Sequence, residues 1–167
     1  MFKIGDRIVY PMHGAGYIEG TELQTVGGIQ REYYTIHILG SNIRLKLPVA
    51  STGNIRLRSV IDEPQALEVL EHFKGFQIDP ELPWGKRYKE NVDRLKTGIP
   101  RETAEVVKTL MLRDRTVGLS IGDRQVMLTA KNVFSAELAL ALERSHDEMR
   151  QLLNEIVEQD VEEITKG

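Results

Sequence analysis

The sequence predicts an α+β protein in two domains, a small bent antiparallel β-barrel followed by an all-α bundle of about five helices. Over residues 1–60, apolar and polar side chains alternate in short segments that glycine and proline separate, which is the pattern of short strands. From Asp62 onward, apolar residues recur at helical spacing, which is the pattern of amphipathic helices. The two domains are therefore expected to span residues 1–60 and 61–167.

The first domain contains a run of predicted short strands. They lie at 7–10, at 14–20 continuing through 21–25, at 32–38, at 42–48 and at 55–58. Pro11 ends the first of them, and Gly27 with Gly28 is a hairpin-turn signal between the second and the third. Short strands with almost no helical periodicity are typical of a barrel of the SH3 or Tudor kind, which is commonly a docking module.

The second domain contains the predicted helices. They begin with Pro64 in a first turn, near residue 84, at Pro100, near residue 121 and near residue 146. The last two helices open with Ser-x-x-acid capping patterns at Ser120 and Ser145, and they are expected to end near residues 143 and 160. In the third helix, Arg101, Lys108 and Arg115 are seven residues apart, which predicts that they share its outer face.

The composition argues against several classes of protein. Cysteine is absent, so there is neither a disulfide framework nor a thiolate metal site. The four histidines lie on different predicted elements, and no nucleophile, phosphate-binding loop or ligand cluster has usable spacing. No apolar run approaches the roughly 18 residues of a membrane span, and the first residues do not form a signal peptide. We expect a cytoplasmic protein, neither an enzyme nor bound to a membrane, that holds no metal and no cofactor.

The charge of the second domain is strongly polarised. Residues 84–131 carry eleven Lys or Arg against six Asp or Glu, whereas residues 132–167 carry three against nine, although the whole chain has a net charge of only -3. A basic surface of this kind favours contact with phosphates. The alternative is an ordinary solvated face in which Lys86 pairs with Glu90 and Lys89 with Asp93 along one helix.

The only tryptophan, Trp84, directly precedes the densest basic cluster, which contains Lys86, Arg87 and Lys89. An exposed indole beside cations can stack on or wedge between bases while the cations neutralise phosphates. The alternative is core packing. Trp84, Tyr88, Val92 and Leu95 follow one another at helical spacing, so they could equally form one buried helix face.

The strand at 42–48 alternates strictly, which points Arg44 and Lys46 away from the core. If this strand lies at the edge of the sheet, it can accept a partner strand through its backbone hydrogen bonds. The plainer interpretation of the first domain is a scaffold.

Four segments together resemble the CarD/CdnL family of bacterial transcription regulators. They are Met-Phe-Lys-Ile-Gly-Asp-Arg-Ile-Val-Tyr-Pro-Met-His-Gly-Ala-Gly at 1–16, Pro-Trp-Gly-Lys-Arg-Tyr-Lys-Glu-Asn at 83–91, and the helical stretches Ala-Glu-Val-Val-Lys at 104–108 and Ala-Glu-Leu-Ala-Leu-Ala at 136–141. The resemblance covers essentially the whole chain. The first segment is shared with transcription-repair coupling factors, whereas its combination with the second is specific to the CarD/CdnL type.

The resemblance implies that a Tudor-like first domain lays an edge strand against the β subunit of RNA polymerase. The matching strand here is 42–48. One basic residue on that strand matters in the family, and Lys46 stands there, while the outward-facing Arg44 is a second candidate for polymerase binding. A second arginine of the family, in the loop before the turn, is replaced by Gln24, so that contact departs from the family pattern.

The resemblance also implies that the helical domain meets promoter DNA at the upstream edge of the transcription bubble, largely independently of base sequence. By direct match, Trp84 is the residue that wedges into the minor groove, and Lys86, Arg87 and Lys89 hold phosphates. Gly85 departs from the family, which has a polar residue there. The expected function is stabilisation of the open promoter complex by a monomer that is associated with the nucleoid through polymerase. The alternative is a protein-docking module without DNA contact, whose helical domain is only structural.

Overall fold

A computed structural model describes residues 2–78 and 87–166. The first part of the chain forms strands β1 (Arg7–Tyr10), β2 (Gly14–Val26), β3 (Ile29–Ile38), β4 (Arg44–Pro48) and β5 (Arg58–Ser59), with one 3-10 turn at Val49–Ser51. The second part forms helices α1 (Glu63–Gly75), α2 (Arg87–Lys96), α3 (Pro100–Thr116), α4 (Ile121–Leu142) and α5 (His146–Lys166). The predicted α+β class is confirmed.

The strands form one antiparallel sheet in the order β4-β3-β2-β1-β5. Within the described residues the sheet is not closed, because β4 and β5 lie at its two edges. The β2–β3 hairpin is long, and the register pairs Val26 with Ile29 beside the predicted Gly27-Gly28 turn. A bulge between Ile18 and Gly20 shifts the register within this hairpin. Bulges of this kind bend a strand and increase its twist.

Close packing of β2 against β3 explains two of the glycines in β2. A Cβ atom at Gly16 would lie 1.8 Å from the carbonyl oxygen of His37. Gly14 has a φ of +154°, and a Cβ there would lie 2.7 Å from a methyl carbon of Ile38. Only glycine accommodates an approach this close between β2 and β3.

Local sequence signals set the helix boundaries. The carboxylate of Asp62 accepts a hydrogen bond from Gln65 N, and the Gln65 side chain accepts one from Asp62 N, which completes a capping box at the start of α1. Ser120 caps α4 in the predicted way. Helix α5 continues to Lys166, beyond the expected end near residue 160, because Val161 still packs against the helical core.

The hydrophobic core has three parts. One lies on the inner face of the sheet around Ile8, Ile36 and Tyr34. A larger one lies within the helical bundle. A third cluster joins the two domains, because Val9 and Ala15 of the sheet pack against Val133 and Ala136 of α4. In the described parts of the chain, none of the helices is long and apolar enough to cross a bilayer.

Three details of the prediction are corrected. The last strand contains only Arg58 and Ser59, since residues 52–56 form turns in which Arg56 has a positive φ of 58°. Strand β4 begins at Arg44 rather than residue 42. Lys108 is fully buried and therefore does not share an outer face with Arg101 and Arg115.

Candidate interfaces for a partner strand and for phosphates

Strand β4 offers its free backbone edge to solvent. Its register pairs Ile36 with Leu45 and Thr35 with Lys46, and Ile38 N donates to Ile43 O at 3.2 Å. In an antiparallel ladder, hydrogen-bonded and non-hydrogen-bonded pairs alternate. Leu45 is therefore hydrogen-bonded to β3, whereas the backbone N–H and C=O groups of Arg44 and Lys46 point away from β3. Pro48 faces the same edge and has no N–H to offer. The outer edge of β4 therefore offers a partner strand the N–H and C=O groups of Arg44 and Lys46, and no N–H group at Pro48.

The side chains predicted for protein docking converge on one face of the sheet. Lys46 Nζ lies 2.8 Å from Glu22 Oε1, and Gln24 donates to the same carboxylate oxygen. These two hydrogen bonds, the larger effect being that of Lys46, lower the pKa of Glu22. The side chains predicted from β4 and from the hairpin thus meet on one acidic residue that sequence reasoning did not single out.

Arg44 belongs to the same exposed face. Its Nε donates to Glu19 Oε2 at 2.7 Å, and this hydrogen bond is the main reason why the pKa of Glu19 is lowered and that of Arg44 is raised. Both ion pairs bridge β2 to β4 across β3, and all four side chains are at least one third exposed. Exposed pairs contribute little to stability, so these charges are available for exchange with a partner.

The tip of the β2–β3 hairpin extends this face with apolar surface. Val26 and Ile29 are cross-strand partners, and each is 57% exposed. Gln24 is the cross-strand partner of Arg31, one step along the same face. An exposed apolar pair beside a mixed-charge face is a feature of protein-binding surfaces.

Two of the residues predicted for DNA contact, Arg87 and Lys89, lie in the helical domain at the start of α2. Trp84, Gly85 and Lys86 fall outside the described residues. Arg87 and Lys89 lie in the first turn of the described helix, and Lys89 is exposed. The expected pair between Lys89 and Asp93 does not form within the described ranges.

The predicted buried face of α2 is only partly present. Leu95 is buried and Val92 packs against the helical core, as expected. Tyr88, however, is 53% exposed, with its ring lying over Gly122 at the start of α4. The first turn of α2 therefore rests on the first turn of α4 instead of entering the core.

Further cations gather where α2, α3 and α4 meet. The pKa of Arg113 is lowered chiefly by burial and further by the positive charge of Arg87, while Asp123 opposes this shift. Arg124 extends from α4 to Asp114, with Nη2 2.9 Å from Oδ1. This basic corner, formed by Arg87, Arg113 and Arg124, with Lys89 in the same helical turn as Arg87, unites parts of the sequence that no spacing rule connects.

An apolar residue missed by the sequence analysis lies at the same corner. Ile121, the first residue of α4, is 91% exposed, and Val117 in the preceding turn is also exposed. Ile121 follows Ser120, the capping residue that was recognised, and it does not fall on the buried side of α4 with Ala130 and Phe134. The position of Ile121 away from the apolar side of α4 was the sequence signal that could have identified it as exposed.

Clustered titratable side chains in the described part of the chain form ion pairs and not a metal site. No group of three or more His, Cys, Asp or Glu residues there is arranged to hold a metal ion. The titratable residues that do cluster, such as His72, Glu105 and Arg94, form a chain of ion pairs across α1, α2 and α3. Desolvation opposes the fall in the pKa of Glu105, and the hydrogen bonds from His72 and Arg94 outweigh it.

A sheet with a free edge strand, joined to a helical bundle with a basic corner, defines a two-domain interaction protein. Comparison with known families gives two matches. Residues 2–61 match the CarD-like/TRCF RID domain, and residues 68–154 match the CarD C-terminal domain. The chain belongs to the CarD family of transcription regulators.

A curated relative supports this assignment. The Bacillus subtilis (strain 168) protein named "Putative transcription factor YdeB" is 36% identical over 138 residues, which cover 83% of this chain and 90% of the relative. The CarD-like/TRCF RID match implies interaction with RNA polymerase. Both matched families are those of transcription factor and interaction domains.

Proposed function

We propose that this protein binds the β subunit of RNA polymerase through β4, binds promoter DNA at the upstream edge of the bubble, and stabilises the open complex. Residues 1–60 are the docking domain and residues 61–167 the DNA-contacting domain. The protein acts as a monomer in the cytoplasm, on nucleoid-bound polymerase. The free backbone edge of β4, in a chain of the CarD family, is the observation that carries this proposal.

Docking proceeds by strand addition. A strand of the β subunit pairs with the outward N–H and C=O groups of Arg44 and Lys46, and side-chain contacts set its register. Lys46 already holds Glu22 at 2.8 Å, so an acidic residue of the partner has to compete with that carboxylate. Gln24, which stands where the family has an arginine, takes part by donating to the same Glu22 oxygen as Lys46.

DNA contact uses the start of α2. Arg87 and Lys89, with Lys86 and Trp84 just before them in the sequence, provide cations and one large aromatic ring within a short segment of the sequence. The cations neutralise phosphates, and the indole occupies a base step that melting has already unstacked. Neither contact reads base edges, so recognition depends on the distorted shape of the DNA and is largely independent of its sequence.

Stabilisation follows from the difference between two states. The open promoter complex offers both the polymerase surface and the unstacked junction, whereas the closed complex offers only the first. A ligand shifts an equilibrium by its difference in affinity for the two states, so this protein favours the open complex. Because docking on polymerase raises the local concentration at the DNA, the DNA contact itself can be weak.

Co-purification with core polymerase, followed by footprinting of the promoter junction, tests the proposal. Lys46→Glu should weaken binding to the β subunit at least about tenfold, since it places two carboxylates together beside the docking edge. Lys166→Glu, the same substitution at an exposed site at the end of α5, is the matched control. Equal affinity of the Lys46→Glu variant and this control would assign docking to another surface.

A second substitution separates the two contacts. Trp84→Ala should leave polymerase binding unchanged and shorten the lifetime of the open complex. An unchanged lifetime would favour the alternative, a docking module without DNA contact. Quenching of Trp84 fluorescence by iodide gives an independent test, because a wedge is strongly quenched and a core residue weakly.

A further inference from the structure

Three arginine side chains of the sheet domain donate hydrogen bonds to main-chain carbonyl groups of the helical domain. Arg7 Nη1 donates to Leu140 O at 2.5 Å, Arg56 Nη1 to Lys96 O at 3.4 Å, and Arg58 Nε to Gly98 O at 2.7 Å. The acceptors lie in the last turn of α4, at the last residue of α2 and in the turn after α2. At Leu140 and Lys96 the cations satisfy carbonyl groups that a helix end leaves unpaired, and they interact favourably with the negative end of the helix dipole.

Arg58 makes the most extensive of these contacts. Its Nη1 and Nη2 atoms donate to the two carboxylate oxygens of Glu137 at 2.6 and 2.8 Å, and Nη1 also donates to Ser59 O at 3.0 Å. Glu137 lies in the C-terminal part of α4 with its side chain only 4% exposed, and it also accepts a hydrogen bond from Ile61 N at 3.1 Å. A two-pronged, buried pair of this kind is highly directional, because the planar guanidinium matches the carboxylate in one orientation.

The surroundings of Gly98 restrict α2 further. Gly98 has a φ of +71°, and a Cβ atom there would lie 3.0 Å from Pro11 Cγ in the β1–β2 turn. The end of α2 is therefore packed against the sheet domain as well as hydrogen-bonded to it. The side chain of Arg58 thus joins β5, the C-terminal part of α4 and the turn after α2.

We propose that Arg58 is a positioning residue that holds α2 at a fixed place relative to the edge strand β4. This inference rests on the proposed function, in which β4 docks on polymerase and the start of α2 meets DNA. The path between them is continuous, since hydrogen bonds connect β4 through β3, β2 and β1 to β5, and Arg58 then connects β5 to α2 through Gly98. Docking on polymerase therefore delivers Arg87 and Lys89 to one position on the promoter instead of to a broad volume.

Rigid spacing has a measurable consequence. The effective concentration of a second contact is highest when the connection spans the required distance without slack, and it falls when the connection becomes loose. Loss of the two hydrogen bonds from Arg58 to Glu137 should therefore leave docking on polymerase intact. It should weaken only the contact between α2 and DNA, which depends on orientation. Loss of stability alone would instead lower the amount of active protein and reduce both contacts together.

A distance measurement tests the positioning directly. The chain has no cysteine, so spin labels can be attached at Ile43→Cys, next to β4, and at Asp93→Cys, on the exposed side of α2. Pulsed electron paramagnetic resonance should give a narrow distribution of distances between the two spin labels in the parent protein. Arg58→Lys keeps the positive charge but cannot reproduce the two hydrogen bonds to Glu137, and it should broaden the distribution about twofold or more. A thermal unfolding curve establishes that the variant remains folded at the temperature of measurement.

Arg7→Lys is the matched control, because Arg7 crosses the same domain interface but reaches α4 and not α2. It should leave the distribution narrow. An unchanged distribution in Arg58→Lys, or equal broadening in Arg7→Lys, would overturn the role assigned to Arg58. Neither result depends on polymerase, so this test stands apart from that of the proposed function.

The functional readout uses the full chain with polymerase and a promoter. Arg58→Lys should bind core polymerase within about twofold of the parent, while the gain in open-complex lifetime falls on the order of fivefold. Equal losses in both would overturn positioning in favour of a general structural role. If the parent itself failed to bind polymerase, the proposed function would fall, and the distance measurement would still decide whether Arg58 fixes α2.

Discussion

Lys108 and Asp160 form an ion pair between α3 and α5 in which Nζ lies 2.6 Å from Oδ2, although Lys108 is fully buried. Nζ also donates to Lys74 O at the end of α1 and lies 5.6 Å from the centre of the Phe73 ring. One ammonium group therefore joins three helices of the bundle. Its charge has left water and depends on these neighbours for compensation.

Removing the carboxylate of Asp160 should lower the free energy of unfolding more than removing the ammonium group of Lys108. Asp160→Asn leaves Lys108 buried beside a neutral side chain, and it should lower the free energy of unfolding by about 3 kcal/mol, because Asp160 is itself 26% exposed and the site can admit some water. Lys108→Met removes the charge and retains much of the volume, so the change should stay within about 1 kcal/mol. Urea unfolding measures both. A larger loss for Lys108→Met would show that the pair stabilises the fold beyond its own desolvation cost.

Acidification should destabilise the protein through His146. Its pKa is lowered chiefly by burial and further by Arg150, and its Nε2 atom lies 2.9 Å from Ser135 Oγ. The unfolded chain, with a pKa near 6.5, then binds a proton that the folded chain does not, so stability decreases as the pH falls through that value. Melting temperatures at about pH 7.5 and about pH 5.5 should differ less in His146→Gln than in the parent. The exposed His13→Gln should behave like the parent, and a parent-like shift in His146→Gln would assign the effect to other groups.

Gly16 should be irreplaceable in the sheet. Gly16→Ala would place a Cβ against the backbone of β3, which cannot yield without breaking the β2–β3 pairing, so at least about 3 kcal/mol of stability should be lost. Gly20→Ala, in the same strand, meets nothing within 4 Å and should change stability by no more than about 1 kcal/mol. Denaturant unfolding of the two variants compares them directly. Equal tolerance would mean that β2 and β3 can separate at this point.

Salt dependence should report the phosphate contacts of α2. If Arg87 and Lys89 each neutralise one phosphate, replacing both by Gln should reduce the slope of log affinity against log salt by about 1.8 for duplex DNA. Fluorescence anisotropy with a labelled promoter fragment at several salt concentrations measures this slope. Replacing Arg144 and Arg150 by Gln, near the start of α5, removes the same charge elsewhere and should leave the slope unchanged. An unchanged slope in the α2 variant would place the phosphate contacts on other residues.

Much of this architecture could be predicted from local pattern. Alternation from Arg44 to Pro48 predicted which side chains face outward, because a strand has only two faces. The capping residue Ser120 marked the start of α4 for a similarly local reason. Whether β4 lies at an edge depends on the pairing of strands distant in sequence, and only the sheet order in the structure establishes it.

Helical periodicity did not predict the solvent-facing side of a helix that packs against other helices on several sides. Helix α3 packs against α1, α2, α4 and α5, so the spacing of Lys108 with Arg101 and Arg115 did not identify a solvent face. Arg58 was equally hidden, since its segment was interpreted only as an alternating strand, and Glu137 is 79 residues away. The basic corner likewise depends on the meeting of three helices. Trp84 and Lys86 lie outside the described residues and remain predictions.

The missing N–H of Pro48 limits how far any visiting chain can extend the sheet. A guest strand obtains two sets of main-chain bonds and then finds no donor, so the attachment is short and its register is restricted. Bare edges in general invite copies of a protein to stack into fibres. Because the pairing edge ends at Pro48, β4 can bind a short partner strand but is too short for copies of this protein to assemble through it.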